Sequence, residues 1–320
     1  MWGDVEIGGN VIPPGSRLHT ELYVAELPSG THIDINTHII RARKPGPSVL
    51  LLGGLHGDEI NGVETVRRLV SDPRIKKIVR GQVIAIPLLN VYGFINFSRS
   101  LRDGKDVNRS FPGSKSGSLA SRVAHMMTQE ILPHIDFGVD FHTGGSSIFN
   151  YPHIRVSEDD ERALELAKEF APPLILQNRS IAKSHRRQGQ KMGKPIMVFE
   201  GGESLRLDEF SIRSGIDGVM RLLSRQGMLK EEERTQDTAV YNDSKWIRAS
   251  RAGMVNLNVH AGDKVSKGQV LAEIHNLDHL KKSKLKAPMD AFVLSNNNNP
   301  VVSRGDALMH LVRMDSRVDE

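Results

Sequence analysis

At 320 residues the chain exceeds the usual size of one domain, so two domains, one large and one small, are expected. Its 43 basic and 38 acidic side chains leave a formal charge of +5, scattered along the chain. That balance mildly favours anionic small molecules or acidic peptides and lacks the dense basic stripe interleaved with aromatics that nucleic-acid binding needs. The absence of cysteine excludes disulfides and thiolate metal sites, so any metal must be held by His, Asp or Glu.

The start, Met1-Trp2-Gly3-Asp4-Val5-Glu6, has no basic region followed by an apolar stretch, and no run of about 18 apolar residues follows anywhere. A cytoplasmic protein without membrane association is therefore expected. After an N-terminal β extension over 1–45, Val49-Leu50-Leu51-Leu52 is a short unbroken apolar run ending in Gly53-Gly54, the pattern of a strand buried on both faces. His56 and Glu59 sit just past its carboxyl end. A helix follows through Val63, Val66, Leu69 and Val70, which share one face, and Pro73 closes it. The pattern then repeats. Val83 to Ile86 is a second buried strand, Leu119, Val123, Met126, Met127 and Ile131 mark a helix stopped by Pro133, and Phe137, Val139 and Phe141 lead into His142. Strands at Leu174 to Leu176 and Ile196 to Phe199, with helices near Asp160 to Phe170 and Ser211 to Leu229, complete an alternating series. Such alternation implies an α/β fold with a mainly parallel sheet covered by helices on both faces. Ligands collect beyond the carboxyl ends of strands in such sheets, and His56, His142 and Glu200 all fall there.

The texture changes after Leu229. Residues 230–243 are charged and nearly free of apolar side chains, a linker or at most a connecting strand, which divides the chain into a domain over 1–240 and another over 241–320. From Trp246 onward short strand-like pieces carry an internal echo. Ala249 to Val255 resembles Ala287 to Val293, and Val265 to Leu271 resembles Val302 to Leu308, at offsets of 38 and 37 residues. This small all-β region resembles the barrel-sandwich module of biotinyl and lipoyl carrier domains. It lacks their Met-Lys-Met tripeptide in the turn from His275 to Lys284, so Lys281, Lys282 and Lys284 are read as solvated charge and the module as a structural or site-capping appendage.

Two imidazoles and a carboxylate, His56, His142 and Glu59, make a metal-ligand set, since a catalytic zinc takes three protein ligands and keeps a fourth position open. His56 and Glu59, three apart in a tight turn, converge on one ion if Gly53, Gly54 and Gly57 keep that turn compact. By itself His-x-x-Glu is as often a polar helix start. Four ordered motifs carry more: Gly54-Leu55-His56-Gly57-Asp58-Glu59, Asp106-Val107-Asn108-Arg109-Ser110-Phe111-Pro112-Gly113, Asp140-Phe141-His142-Thr143-Gly144 and Phe199-Glu200-Gly201-Gly202. Together they resemble the succinylglutamate desuccinylase/aspartoacylase family, within the wider zinc carboxypeptidase-like fold, over about residues 45–230.

The resemblance implies one zinc per chain on His56, Glu59 and His142, with Glu200 as the catalytic carboxylate. It further implies Arg109 and Asn108 on the substrate carboxylate, Arg99 as a substrate-binding or oxyanion-stabilising arginine, and Asp106 as the carboxylate that fixes the His56 tautomer. A turn aspartate, a surface arginine and a structural ion pair are the plainer alternatives for Asp106, Arg99 and Arg109. The implied activity is hydrolysis of a small anionic N-acyl amino acid, with no nucleic-acid or membrane partner and a homo-oligomer left open. A zinc carboxypeptidase acting on a terminal peptide residue and a noncatalytic zinc or anion-binding protein are the alternatives. Glu203, past the glycines, reads as an exposed loop carboxylate, 183–187 as a solvated basic loop, Tyr151 as a packing residue, and His125, His134 and His153 as structural.

Overall fold

The computed structural model describes residues 2–26, 29–230, 238–277 and 282–316. The apolar run after Pro47 forms the strand Ser48–Leu52, buried along its whole length. It pairs in parallel with Gln82–Ile86 on one side and Phe137–Gly144 on the other, and Ile196–Glu203 adds in parallel beyond Phe137–Gly144. Antiparallel strands extend both edges. His32–Arg41 and Arg17–Glu26 continue past Gln82–Ile86, and Ile148–Val156 lies against Ile196–Glu203. The sheet is thus mixed, with its parallel strands at the centre where the expected site residues hang.

Because strand side chains alternate between faces, Leu50 and Leu52 pack with Ile84, Ile86, Val123 and Ala124 on one face. Val49 and Leu51 pack on the other with Val66, Leu69, Leu166 and Leu222, from the helices Ile60–Ser71, Glu161–Phe170 and Glu209–Arg225. Burying each such side chain contributes about 2 kcal/mol, so two apolar layers clamp the sheet and hold its strand ends in fixed relation. Pro73 does more than close the first helix, which ends at Ser71; it opens a further turn, Pro73–Lys76, capped by the Asp72 side chain. The helix from Leu119 runs to Met126 and continues as a π turn over Met127–Ile131.

Two elements were not expected. Ile148–Val156 is a strand despite Pro152 and its mixed burial, because each half has a different partner. Its first half pairs antiparallel with Ala291–Asn297, and its second half pairs in parallel with Leu174–Gln177. The basic segment read as a loop opens a short helix, His185–Lys191, N-capped by Ser184, with His185, Arg186 and Gly189 buried. Leu174–Gln177 also takes Ala239–Tyr241 in parallel, so the charged stretch does include a connecting strand.

The internal echo appears as an exchange of strands. Gly253–Leu257 pairs with Val270–His275 and Ala291–Asn297 with Ala307–Arg313, each antiparallel. Each then takes a short strand from the other half, Val301–Val302 onto the first and Lys264–Val265 onto the second. Leu271, Ile274, Val293, Leu308 and Leu311 fill the space between the layers. Lys282 and Lys284 approach Glu273 at 3.5 and 3.7 Å, and Lys281 lies outside the described residues. No helix among the described residues is long and apolar enough to cross a membrane.

Candidate active site

Between the strand Ser48–Leu52 and the helix Ile60–Ser71 the chain makes a compact turn. Gly54 adopts φ +60°, where a side chain is strained. At Gly57 the constraint is space, because a Cβ there would stand 2.1 Å from the carbonyl carbon of Gly93. Glu59 occupies the N-cap position of the helix, yet its carboxylate makes no capping bond. It turns inward instead. Oε1 lies 2.8 Å from His56 Nδ1 and Oε2 lies 2.8 Å from Nδ1 of His142, which comes from the neighbouring strand Phe137–Gly144. The two Nδ1 atoms are 3.1 Å apart. Exposure is 2% for His56, 1% for Glu59 and 4% for His142, so the cluster is dry.

On its far side each ring meets a second carboxylate. His56 Nε2 is 3.2 Å from Asp106 Oδ1, and His142 Nε2 is 3.2 Å from Asp140 Oδ1. The Asp106 carboxylate, hydrogen-bonded to His56 Nε2, sets that ring's proton there, and Asp140 favours the same tautomer of His142 by its charge without an aligned hydrogen bond, so both Nδ1 lone pairs point inward. Two inward lone pairs and a carboxylate within 4.8 Å of one another repel unless a cation lies among them. The donor set therefore fits a divalent ion, and its nitrogen and oxygen atoms suit zinc.

The charges of these groups are coupled. Burial presses the His56 and His142 imidazoliums down, but Glu59 and Asp106 around the first, and Asp140 and Glu59 around the second, outweigh it and raise both. Glu59, Asp106 and Asp140 are held below the ordinary carboxylate range, since the imidazoles outweigh the upward push of burial. A folded-state histidine pKa above the unfolded value gives stability that is complete below about 6.5 and is lost as pH rises through the folded value. The three depressed carboxylates act in the other direction and only at the acid end, below about pH 4. Chelator-stripped protein should thus lose melting temperature from pH 6.5 upward. Zinc has to displace protons from the same two rings, so the melting-temperature gain on adding zinc should grow over that interval. Calorimetry at pH 6 and pH 8.5 reads both trends; a larger zinc gain at pH 6 would remove His56 and His142 as ligands.

Glu200 lies beside His142 in the parallel register of Ile196–Glu203 and Phe137–Gly144, so both side chains emerge at one sheet edge. The register breaks immediately after Glu200, where Gly202 takes φ +81°. Asn150 Nδ2 donates to Glu200 Oε2 at 2.8 Å, and Arg155 Nε stands 3.7 Å from Oε1. Glu200, the His-Glu-His trio and Arg99, Asn108 and Arg109 all line one cleft of about 270 Å³.

Arg99 is already engaged. Its Nε and Nη2 donate to Asp106 Oδ2 at 3.3 and 3.1 Å, and Nη1 donates to Glu59 Oε1 at 3.0 Å, while the side chain remains 40% exposed to the cleft. Asp106 also caps the turn Val107–Arg109 by accepting from the Asn108 backbone N–H at 2.7 Å. Asn108 Oδ1 accepts from the His185 backbone N–H, which leaves its amino group toward the cleft. Arg109 is exposed, makes no ion pair among the described residues, and is steadied only by its bond to the Asn108 carbonyl at 2.7 Å.

A family profile described as the succinylglutamate desuccinylase/aspartoacylase catalytic domain matches residues 45–225. The chain belongs to this family. It is 28% identical over 281 residues to the N-alpha-acetyl-L-2,4-diaminobutyric acid deacetylase of Halomonas elongata, covering 83% of this chain and 82% of that one. The fold matches the succinylglutamate desuccinylase/aspartoacylase crystal structure from Rhodobacter sphaeroides with a TM-score of 0.84 at 24% identity, over 93% of this chain and 95% of that chain. It equally matches the product-bound ectoine utilization protein of Ruegeria pomeroyi, with a TM-score of 0.84 at 24% identity over 95% and 97% of the two chains.

Around the family motifs stand residues that sequence reasoning left without a role. Asp140 opens the third motif, and its two-residue spacing from His142 puts both on one face of a strand. Its Oδ2 lies 2.9 Å from Nδ1 of the fully buried His185, whose ring stacks on Phe111. Arg186, placed in a solvated loop by its sequence, is buried; burial and Arg155 pull its pKa down to about 10. It lines the cleft with Arg155 and Arg179. Glu203 is not the exposed loop carboxylate its position suggests. It is the buried last residue of its strand, accepts from Asn298 Nδ2 at 2.7 Å, and is not among the residues lining the cleft. Tyr151 packs between Phe210 and Phe292.

Proposed function

We propose that this family member is a zinc-dependent amide hydrolase that removes the acyl group from a small N-acyl amino acid, releasing an organic acid and a free amino acid. The single observation that carries the reading is a carboxylate free of the donor trio, Glu200, sharing one cleft with that trio and with Arg109. A merely structural metal site has no use for it. Residues 1–240 form the hydrolase domain in this reading, and 241–320 a β domain that lends Trp246 to the cleft wall.

His56, Glu59 and His142 would hold one zinc ion per chain, and the chemistry it would supply there is a more acidic attacking water and a polarised amide carbonyl. Asp106 holds the His56 ring by a hydrogen bond and Asp140 biases the His142 ring by its charge toward the tautomer that presents Nδ1, and Arg99 keeps Asp106 and Glu59 in place. Glu200 takes the proton of the attacking water and returns it to the leaving nitrogen. Arg109 and the Asn108 amino group receive the substrate carboxylate, for which a guanidinium fork is well matched.

The cleft is at or just below the usual lower bound for ligand sites, about 300 Å³. That size favours a single acylated amino acid over a peptide, as does the activity named for the Halomonas elongata relative. The test is a panel of N-acetyl and N-succinyl amino acids, N-acyl diamino acids and short peptides, read by free amine released, alongside metal analysis. The expected result is near one zinc per chain and turnover confined to single N-acyl amino acids. Release of carboxyl-terminal residues from peptides, with the acyl amino acids untouched, would replace this reading with a carboxypeptidase. Full zinc occupancy without turnover of any member would favour a noncatalytic protein.

A further inference from the structure

The hydroxyl of Ser295, on the C-terminal strand Ala291–Asn297, donates to Asn150 Oδ1 at 2.6 Å, and the other end of the same amide, Nδ2, donates to Glu200 Oε2 at 2.8 Å. We infer that Ser295 and Asn150 are positioning residues for Glu200, so that the C-terminal β strands orient the proposed base from behind; this rests on the hydrolase reading above. An amide has one accepting and one donating end, and which end faces Glu200 decides whether the contact attracts or repels. Flipping Asn150 would set its oxygen against a carboxylate oxygen and its amino group against a hydroxyl already placed to donate.

The setting removes alternatives. Ser295 is fully buried and Asn150 is 4% exposed, so bulk water does not replace the serine hydroxyl as the partner of Asn150 Oδ1. Asn150 sits at the seam of the molecule, cross-strand partner both to Gly202, just past Glu200, and to Ser295. With Oε2 tied to Asn150, Oε1 is the oxygen left for proton transfer. The charged groups acting on it are Arg155, at 3.7 Å, and Arg186, which interacts with the Glu200 charge, and neither closes a hydrogen bond to it. Asn150 and Ser295 therefore supply the hydrogen-bonded direction of the carboxylate, while the arginines supply only field.

The experiment uses the full-length zinc-loaded protein and the best substrate of the panel, with zinc content and thermal unfolding recorded for each variant. Ser295→Ala should lower kcat roughly tenfold with KM within about twofold, and Ser295→Thr, which keeps the hydroxyl, should recover most of it. Asn150→Leu should lower kcat by roughly tenfold to a hundredfold, and adding Ser295→Ala to it should cost nothing further, because serine acts only through the amide. Additive losses, a threonine variant no better than alanine, or reduced melting temperature with unchanged kcat would each overturn the inference. If Asn150→Leu does not fold, the alanine and threonine contrast at 295 decides alone. Glu200→Gln separates the two layers. Turnover lost there but untouched in Ser295→Ala and Asn150→Leu sinks the positioning role only, whereas turnover kept in Glu200→Gln removes the base itself.

Discussion

Replacing Glu200 by glutamine is expected to lower kcat about 10³-fold, the order that a positioned general base supplies, while zinc content, fold and KM stay near their original values. Each part has a structural reason. Glutamine has the same shape, and its carbonyl oxygen still accepts from Asn150 Nδ2, so the side chain keeps its place. Zinc stays because Glu200 is outside the His56, Glu59 and His142 donor set. Substrate affinity stays because the carboxylate grip is assigned to Arg109 and Asn108. Steady-state kinetics with parallel metal analysis decides the matter. Among the described residues only Glu59 and Glu200 bring a carboxylate to the cleft, and Glu59 is committed to two imidazoles and Arg99. Unimpaired turnover would leave no side-chain carboxylate for the proton and would end the mechanism in this form.

How far the sequence foretold this arrangement depended on whether a residue's partners were near it in the chain. The central strands were legible because burial on both faces demands an unbroken apolar run, as at Val49 to Leu52, and because glycines mark the turn that brings His56 and Glu59 together. The strand Ile148–Val156 was illegible for the opposite reason. It divides one edge between two neighbours, and Asn150, His153 and Arg155 interrupt its apolar period with polar groups whose partners are the Glu200 carboxylate, a backbone carbonyl of its own strand and a neighbouring ring. The helix from His185 was hidden in the same way, since its buried face is made of an imidazole and a guanidinium rather than of aliphatic side chains. His185 gains its reason for burial only once Asp140, 45 positions earlier, lies beside it. Arg99 lines the cleft, but its hold on Glu59 and Asp106 depends on three loops meeting, which no spacing in one segment encodes.

The same network predicts that the two histidine ligands differ when removed. His56→Ala and His142→Ala should both abolish stoichiometric zinc, since a trio reduced to two donors no longer closes on the ion. Their effects on the fold should diverge. Without the His56 ring, Asp106 still accepts from the Asn108 backbone N–H and from Arg99, and Glu59 still meets Arg99 and His142. No carboxylate is stranded. Without the His142 ring, Glu59 keeps Arg99, His56 and the Thr143 backbone N–H, but Asp140 Oδ1, which has no hydrogen bond of its own, loses the imidazole charge it faces at 3.2 Å, with His185 the remaining partner of the other oxygen. Asp140 is 1% exposed, and a buried charge that loses one partner costs about 3 kcal/mol. Denaturant unfolding of the chelator-treated proteins should therefore show His142→Ala less stable than the parent by about that amount, with His56→Ala losing less than half as much. Equal losses in the two variants would mean that Asp140 does not depend on His142, and the tautomer argument on that side of the site would fall with it.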